Sequence, residues 1–461
     1  MFVLTYYFFL KNKKYRIDYL DNDITNKKVI ILYTTCNDFD AKALLACMKQ
    51  NYSNFETFIL DDSYEESFKN EIDKFAQLHR NVKVIRRKDR KGFKAGNINN
   101  FLKNKKDYDY FVLLDSDEII PCNFIEKTII YFKDKSVGIV QANHEAKRVT
   151  NIFNFMGSKG VVSAWTTFIS VKNYFGSVTL NGHGAMISKE CYLDSGGFPE
   201  IVAEDLGLTL SALNAGYKSV FAKEILCDEM FPIDYLAFKK RNIKWTQGNF
   251  EFFKKVGGWK IWKLKIPFHQ RIDLWMSSTS LSLTVFSLFA TLINFTILYP
   301  IGFKYNFIYL IWIFIIILTI TPMLNDIIYY FGKINFFILL LKLFFDYLLY
   351  PSMMVSSLST LLLSIFGKKA KFIITPKNEK KYNLWDCIKY NWKELFIALL
   401  STIILPIIFI FVHEYRYIFL IWYILFVLPL IGTIPLTLMS NIKVYKRNLK
   451  PKKIRGKIKW K

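Results

Sequence analysis

Short apolar runs rich in β-branched residues alternate with amphipathic stretches between Lys27 and about Phe231. VIILYTT comes first, then helical spacing near 41–51, then TFILDD, KVIRR, YFVLLDSD and VGIVQAN. Strands separated by helices in this rhythm predict an α/β domain over residues 27–265, built on a mostly parallel, Rossmann-like sheet. Ligands of such sheets bind beyond the carboxyl ends of the strands, which is where these runs carry their Asp residues.

After Ile266 the pattern changes. Apolar stretches at 278–298, 307–323, 336–366, 395–412 and 418–438 are each near or above the length at which a helix crosses ~30 Å of hydrocarbon, so a transmembrane helical bundle is expected over 266–440. The segment after Ser440 holds ten Lys or Arg and no acid, and the connector 367–393 holds eight Lys against Glu379 and Asp386. Both are expected on the cytoplasmic side, together with the α/β domain, in a multi-pass protein of the cell membrane. The stretch 334–366 must then begin and end inside. It is expected as two short, tilted or re-entrant helices that meet near Tyr350 and Pro351 and keep Lys342 and Asp346 off lipid, for six crossings in all. Residues 441–461 form a basic cytosolic tail. The opening MFVLTYYFFL is too short to span and lacks a basic lead or a cleavage site, so 1–26 is expected to be an interfacial or docked segment.

Composition supports the membrane part: 52% of the 461 residues are hydrophobic and the mean hydropathy is +0.18. The net charge of +25 is assigned to the anionic inner leaflet rather than to nucleic acid. Lys and Arg flank the apolar runs, and the aromatics lie within those runs instead of interleaving on one basic face. Membrane lipid is thus an expected partner and nucleic acid is not. Six cysteines with no CxxC spacing and no His cluster along the chain imply reduced, mostly buried thiols, and neither a disulfide framework nor a zinc site is expected.

Four groups of residues carry chemistry. Thr35 and its neighbours to Asp38, with Asp61, Asp62 and Ser63 after the next strand, offer short polar side chains for a uracil ring and ribose hydroxyls, although a strand ending in Asp-Asp is also ordinary turn chemistry. GFKAGNINN at 92–100 supplies glycines for close backbone approach and, in Lys94, a point charge suited to a diphosphate. Asp115 and Asp117 end a strongly β run. One residue apart, they point to the same side of an extended chain, where one can face a ribose or metal and the other can coordinate a divalent ion. Glu204 and Asp205 open an amphipathic helix, where a carboxylate can act as general base or merely favour the helix dipole.

Taken in order, LDDS, KAGNINN, DSD, GGFPE with AED, and RNIKWTQG at 241–248 resemble the family-2 processive glycosyltransferases, namely cellulose synthase, hyaluronan synthase and bacterial β-glucan synthases. KAKFIITPK at 369–377 is similar to the FxVTxK gating loop of cellulose synthases. The resemblance implies a GT-A-type domain followed by membrane helices. It implies Thr35 and Asp62 at the nucleotide, with Asp61 as the alternative to Asp62, and Lys94 and Asp115 near the UDP. Asp117, with Asp115, would hold Mg²⁺ or Mn²⁺, and Asp205 would be the base. On the acceptor side it implies Trp245 stacked on the sugar, with Arg241, Lys244, His183 and Glu204 around it; an indole face packs well on a pyranose. Where the family has Q-x-x-R-W this chain has Arg241-Asn242-Ile243-Lys244-Trp245, so the Gln is replaced and the phosphate-facing Arg has become Lys, which keeps charge but loses the fork.

The expected reaction is a single inverting displacement from a UDP-sugar, UDP-glucose first, onto a growing β-linked polysaccharide that the membrane helices export. A non-processive enzyme that adds one sugar to a membrane lipid acceptor is the alternative. A transporter or scaffold with a silent soluble half is disfavoured by the joint presence of Asp62, Lys94, Asp115, Asp117 and Asp205.

Overall fold

The computed structural model describes residues 26–279, 323–370, 375–411, 420 and 422–444. Its centre is one seven-stranded sheet in the order β3-β2-β1-β4-β6-β5-β7. The strands are β1 (Val29–Thr35), β2 (Phe55–Asp61), β3 (Val82–Arg86), β4 (Tyr110–Leu114), β5 (Val137–Glu145), β6 (Ala185–Ser188) and β7 (Lys218–Asp228). β1 is buried along its whole length, which is why VIILYTT reads as a continuous apolar run rather than an alternating one. Ile31 and Tyr33 join the core beneath α1 (Ala41–Cys47) and α2 (Glu66–Leu78), while Ile30 and Leu32 pack on the opposite face with α3 (Phe93–Leu102).

Register places the chemistry. Thr35 lies opposite Asp61 of β2, and Tyr33 lies opposite Leu114 of β4. The segments 35–38, 61–63 and 115–117 therefore leave the sheet at one edge. Because β2 and β4 flank β1, the connections diverge there and open a crevice. The sheet is mixed rather than simply parallel: β6 runs antiparallel to both β4 and β5, with Ala185 opposite Leu113. This reversal carries the loop 181–184 over the same edge.

Five more helices matter to the site: α4 (Ile152–Ala164), α5 (Glu204–Asn214), α6 (Tyr235–Lys255), α7 (Phe336–Ser352) and α8 (Met354–Ile365). α6 is started by Asp234, whose carboxylate accepts from the Ala237 N–H at 2.7 Å. Phe153 of α4, Phe231, Tyr235 and Phe238 form one buried cluster with Phe345, Leu348, Leu349 and Met353, so the apolar helices pack directly on the α/β domain. Gly157 makes this approach feasible, because a Cβ there would lie 2.0 Å from the Phe231 ring. Asn242 of α6 donates to Ser357 Oγ of α8 at 2.7 Å.

Among the described residues two helices, Phe336–Ile365 and Tyr423–Asn441, are long and apolar enough to cross a membrane by length and composition. The first contains α7 and α8, consecutive helices separated by Met353, whose own backbone stays right-handed helical. Lys342 and Asp346 are buried. Lys342 pairs with Asp346 and, at 2.8 Å, with Asp326, which also accepts from the Ser163 hydroxyl of α4. The stretch 395–412 falls in the helix Trp392–Phe411, apart from its last residue. The expected segment 1–26, the spans 278–298 and 307–323 and the tail 441–461 lie outside the described residues except at their ends.

Candidate functional site

At the carboxyl end of β1, Asp38 organises the turn. Its Oδ1 accepts from Thr35 Oγ1 at 2.9 Å and from the Cys36 N–H at 2.8 Å. Asn37 adopts the left-handed conformation with φ 56°, and its N–H donates to Ser63 Oγ at 2.9 Å. Asp61 and Asp62 are both buried, and each faces an arginine. Arg86 Nε reaches Asp61 at 2.7 Å, and Arg87 grips Asp62 through Nε at 2.8 Å and Nη2 at 2.6 Å. Arg87 also donates to the carbonyls of Lys91 and Phe93, so it straps the loop before α3 to β2. That loop turns through Gly92 and Phe93, with φ 73° and 51°. Gly96 must be glycine, since a Cβ would sit 2.0 Å from the Lys91 carbonyl.

α3 delivers Lys94 to the Asp-Ser-Asp turn. Its ammonium donates to Asp115 and, at 2.6 Å, to the Gly182 carbonyl. Asp117 Oδ2 accepts from the Met230 N–H at 3.2 Å, while Oδ1 faces Lys377 at 3.2 Å. Lys377 comes from the connector after α8, and its ammonium also meets Asp38 Oδ2 at 3.1 Å and Ser116 Oγ. Burial opposes charge on Asp115 and Asp117. Lys94 beside the first, Lys377 beside the second and His183 near both outweigh it and hold their carboxyls below the usual range. Asp115 keeps 42% of its side chain exposed and Asp117 21%, so both reach the crevice. Oxygens of Asp38, Ser116 and Asp117 gathered around one ammonium are the hard donor set that Mg²⁺ or Mn²⁺ takes, so these residues fit such an ion.

Glu204 and Asp205 stand at the start of α5. The Asp205 carboxylate accepts from the Leu206 N–H at 2.8 Å. A Cβ on Gly182 would lie 3.5 Å from Asp205 Oδ2 and 3.9 Å from Lys94 Nζ, so all three groups border one small space. Burial, then the charge of Asp205, pushes the Glu204 carboxyl up to about 8. Burial also raises Asp205, against the pull of the Leu206 amide, Lys94 and Lys244. On α6, the Arg241 guanidinium lies over the rings of Trp245 at 4.6 Å, Phe238 at 5.0 Å and Phe231 at 5.1 Å. Trp245 keeps 46% exposure. Lys244 feels Asp115, Glu204 and Asp205 together, though burial draws its ammonium down.

The His183 imidazole faces two acids: Nδ1 lies 2.6 Å from Glu118 and Nε2 3.4 Å from Glu229. Arg148 holds the Asp-Ser-Asp turn from behind, donating to the carbonyls of Asp117 and Asp228 and to the Asp228 carboxylate at 3.1 Å. Sequence reasoning passed over Arg87, Arg148, Glu118, His144 and Glu229. The clue available for Arg87 was its place directly after β3, beside the strand that ends in Asp61. For Lys377 the clue was the gating-like motif that it closes.

Residues 110–324 match the family described as Glycosyl transferase family group 2. A curated relative, glucomannan 4-beta-mannosyltransferase 1 of Cyamopsis tetragonoloba, is 26% identical over 229 residues, 47% of this chain and 43% of the relative. The match thus spans under half of that protein's length. Among solved structures, the mannosyltransferase PcManGT from Pyrobaculum calidifontis, in complex with GDP-Man and Mn²⁺, superposes with a TM-score of 0.50 at 16% identity over 75% of this chain and 95% of its own. The domain has a mixed α/β sheet of GT-A type, and residues 110–324 are similar to a family 2 glycosyltransferase domain.

Proposed function

We propose that the chain transfers a hexose from a nucleotide-diphosphate sugar to a carbohydrate hydroxyl with inversion, using Asp205 as general base. The observation that carries this reading is the meeting of Asp205, Lys94 and Asp115 at the Gly182 backbone. It sets a basic carboxylate and a diphosphate-binding ammonium against one space. Asp205 takes the proton of the attacking hydroxyl, a step that supplies roughly 10²- to 10⁴-fold when the base is well placed. Lys94 holds the diphosphate, Thr35 and Asp62 border the nucleoside, and Trp245, braced by Arg241, offers its free face to the acceptor ring, with Lys244, His183 and Glu204 bordering that side. A divalent ion held by Asp117 and Asp115 would neutralise charge on the leaving diphosphate.

Both relatives are mannosyltransferases, and one binds GDP-Man. That supports mannose as the transferred sugar ahead of the UDP-glucose read from the motifs. Processive growth of a β-linked polysaccharide with export through the apolar helices is the favoured form. Its support is the packing of α7 and α8 against α6, the helix that bears Trp245. The same packing suits a lipid acceptor, so product length is the discriminating readout. Membranes carrying the protein are incubated with labelled GDP-mannose or UDP-glucose, and long polymer supports processive growth, whereas a single-sugar lipid supports the alternative. Asp205→Asn should abolish transfer and leave donor binding intact. Undiminished turnover in that variant would remove the base assignment.

A further inference from the structure

Behind the Asp-Ser-Asp turn lies a cluster of which only His183 borders the proposed transfer site. His144 of β5, His183 of the loop before β6 and Glu229, directly after β7, bring one imidazole nitrogen each and a carboxylate oxygen within 4.8 Å of one another. We propose that these three residues form a second metal site, selective for a borderline transition cation of the zinc class and separate from the hard-oxygen site at Asp117.

Three observations support it. Two imidazoles and one carboxylate are the donor set of three-coordinate protein sites that keep an open position, and such donors favour zinc-class ions over Mg²⁺. Donor atoms around a tetrahedral zinc stand about 3.3 Å apart, and His183 Nε2 is already 3.4 Å from Glu229 Oε2, so small rotations suffice. Glu118 supplies the outer carboxylate that orients metal-binding histidines: its two oxygens meet His144 Nε2 at 3.0 Å and His183 Nδ1 at 2.6 Å. With Nε2 turned to Glu118, the other nitrogen of His144, Nδ1, is buried and has no hydrogen-bond partner. A buried donor-capable nitrogen without a partner is costly unless something coordinates it.

Charge points the same way. Glu118 is 1% exposed and the Glu229 side chain 15%. Once a dication takes the place of the proton that Glu118 and Glu229 hold on His183, the two carboxylates balance its charge. Spacing along the chain predicts no zinc site, because the ligands are some 40 residues apart (144, 183, 229); parallel pairing of β5 with β7 brings His144 beside Glu229, and the antiparallel insertion of β6 adds His183. Cys227, which lies with Glu118 and His144 in another candidate grouping, is not a ligand in this proposal.

The test uses the full-length protein in detergent with metal ions alone. Equilibrium dialysis against Zn²⁺ in excess Mg²⁺ should leave one tightly held Zn²⁺, and Co²⁺ in its place should give the visible absorption of a low-symmetry imidazole site. His144→Ala and Glu229→Gln should each weaken Zn²⁺ at least tenfold while melting curves show folded protein, and Glu118→Gln should weaken it roughly 10- to 100-fold as an outer-shell change. Asp117→Asn and Cys227→Ser should leave Zn²⁺ binding unchanged. The proposal is overturned if no Zn²⁺ survives the Mg²⁺ challenge, if Glu229→Gln retains full affinity, or if either Asp117→Asn or Cys227→Ser abolishes binding. Each readout is independent of transfer activity, so failure here leaves the proposed function standing, and the reverse.

Discussion

Two sets of acids share one crevice and are treated oppositely. Beyond the ends of β2 and β4 each carboxylate faces a protein cation: Asp61 has Arg86, Asp62 has Arg87, Asp115 has Lys94 and Asp117 has Lys377. On the other side, burial of Glu204 and Asp205 outweighs the pull of Lys94 and Lys244, and their carboxyls rise. One set is kept as anions that gather cations, and the other is kept basic enough to accept a proton. Environments that push like groups apart in this way divide the labour of a site.

The largest effect expected from breaking that contrast is at Asp205. Asp205→Asn keeps the shape and removes the basic oxygen, so transfer should fall by roughly 10²- to 10⁴-fold while the donor Kd, measured by calorimetry, moves little. A comparable loss of donor affinity would mean that Asp205 belongs with the cation-gathering set.

Next in size is Arg87→Ala. It leaves Asp62, whose side chain is 9% exposed, buried without its forked partner, and breaking a buried pair from one side costs about 3–5 kcal/mol. The melting temperature should drop by several degrees, and Arg87→Lys should restore only part of it because the ammonium lacks the fork. An unchanged melt would show that the strap across 87–93 contributes nothing.

How much of this was legible beforehand depends on the range of each interaction. The strands of the first half announce themselves because β1 and β4 are near-continuous apolar runs, β2 closes on Asp61 and β4 leads into Asp115, and their register follows from parallel pairing. β6 hides because AMIS is four residues long and follows a glycine-rich loop, so its reversed direction has no local signature. Arg87 sits in RRKDRK, where a run of charge reads as a solvated loop. Lys377 meets Asp117 across 260 residues, a distance over which no spacing rule speaks. The candidate acids were readable because each lies at an element boundary and Lys94 because of its motif, whereas Arg86, Arg87 and Arg148 were not, because tertiary packing alone brings them in.

Lys377 offers a third and smaller break. In the donor-free protein its ammonium stands among the oxygens of Asp38, Ser116 and Asp117, so a divalent ion must compete with it there. Removing one charge at this range is worth between about 1 kcal/mol, as in bulk water, and about 4 kcal/mol, as near a protein surface. Lys377→Ala should therefore bind Mn²⁺ roughly tenfold tighter without nucleotide, read by the electron spin resonance of free Mn²⁺. Equal or weaker affinity would show that the ammonium does not occupy the ion's position.

The finest test of the contrast is the pH profile of Glu204→Gln. With Asp205 as the proposed base, kcat/KM should climb with pH as it loses its proton, and burial places that climb above the ordinary Asp range. Glu204, pushed up to about 8, is mostly neutral at pH 7 and gains its charge as pH passes through that value. A second anion then appears beside Asp205 and makes it a stronger base, which adds a further, smaller rise near pH 8. Glutamine imitates the neutral acid and cannot ionise, so the variant should keep the lower climb, lose the rise near pH 8 and differ from the parent only a few-fold at pH 7. If the rise near pH 8 persists in Glu204→Gln, another group titrates there, and the two acids of α5 do not act on each other as their burial side by side implies.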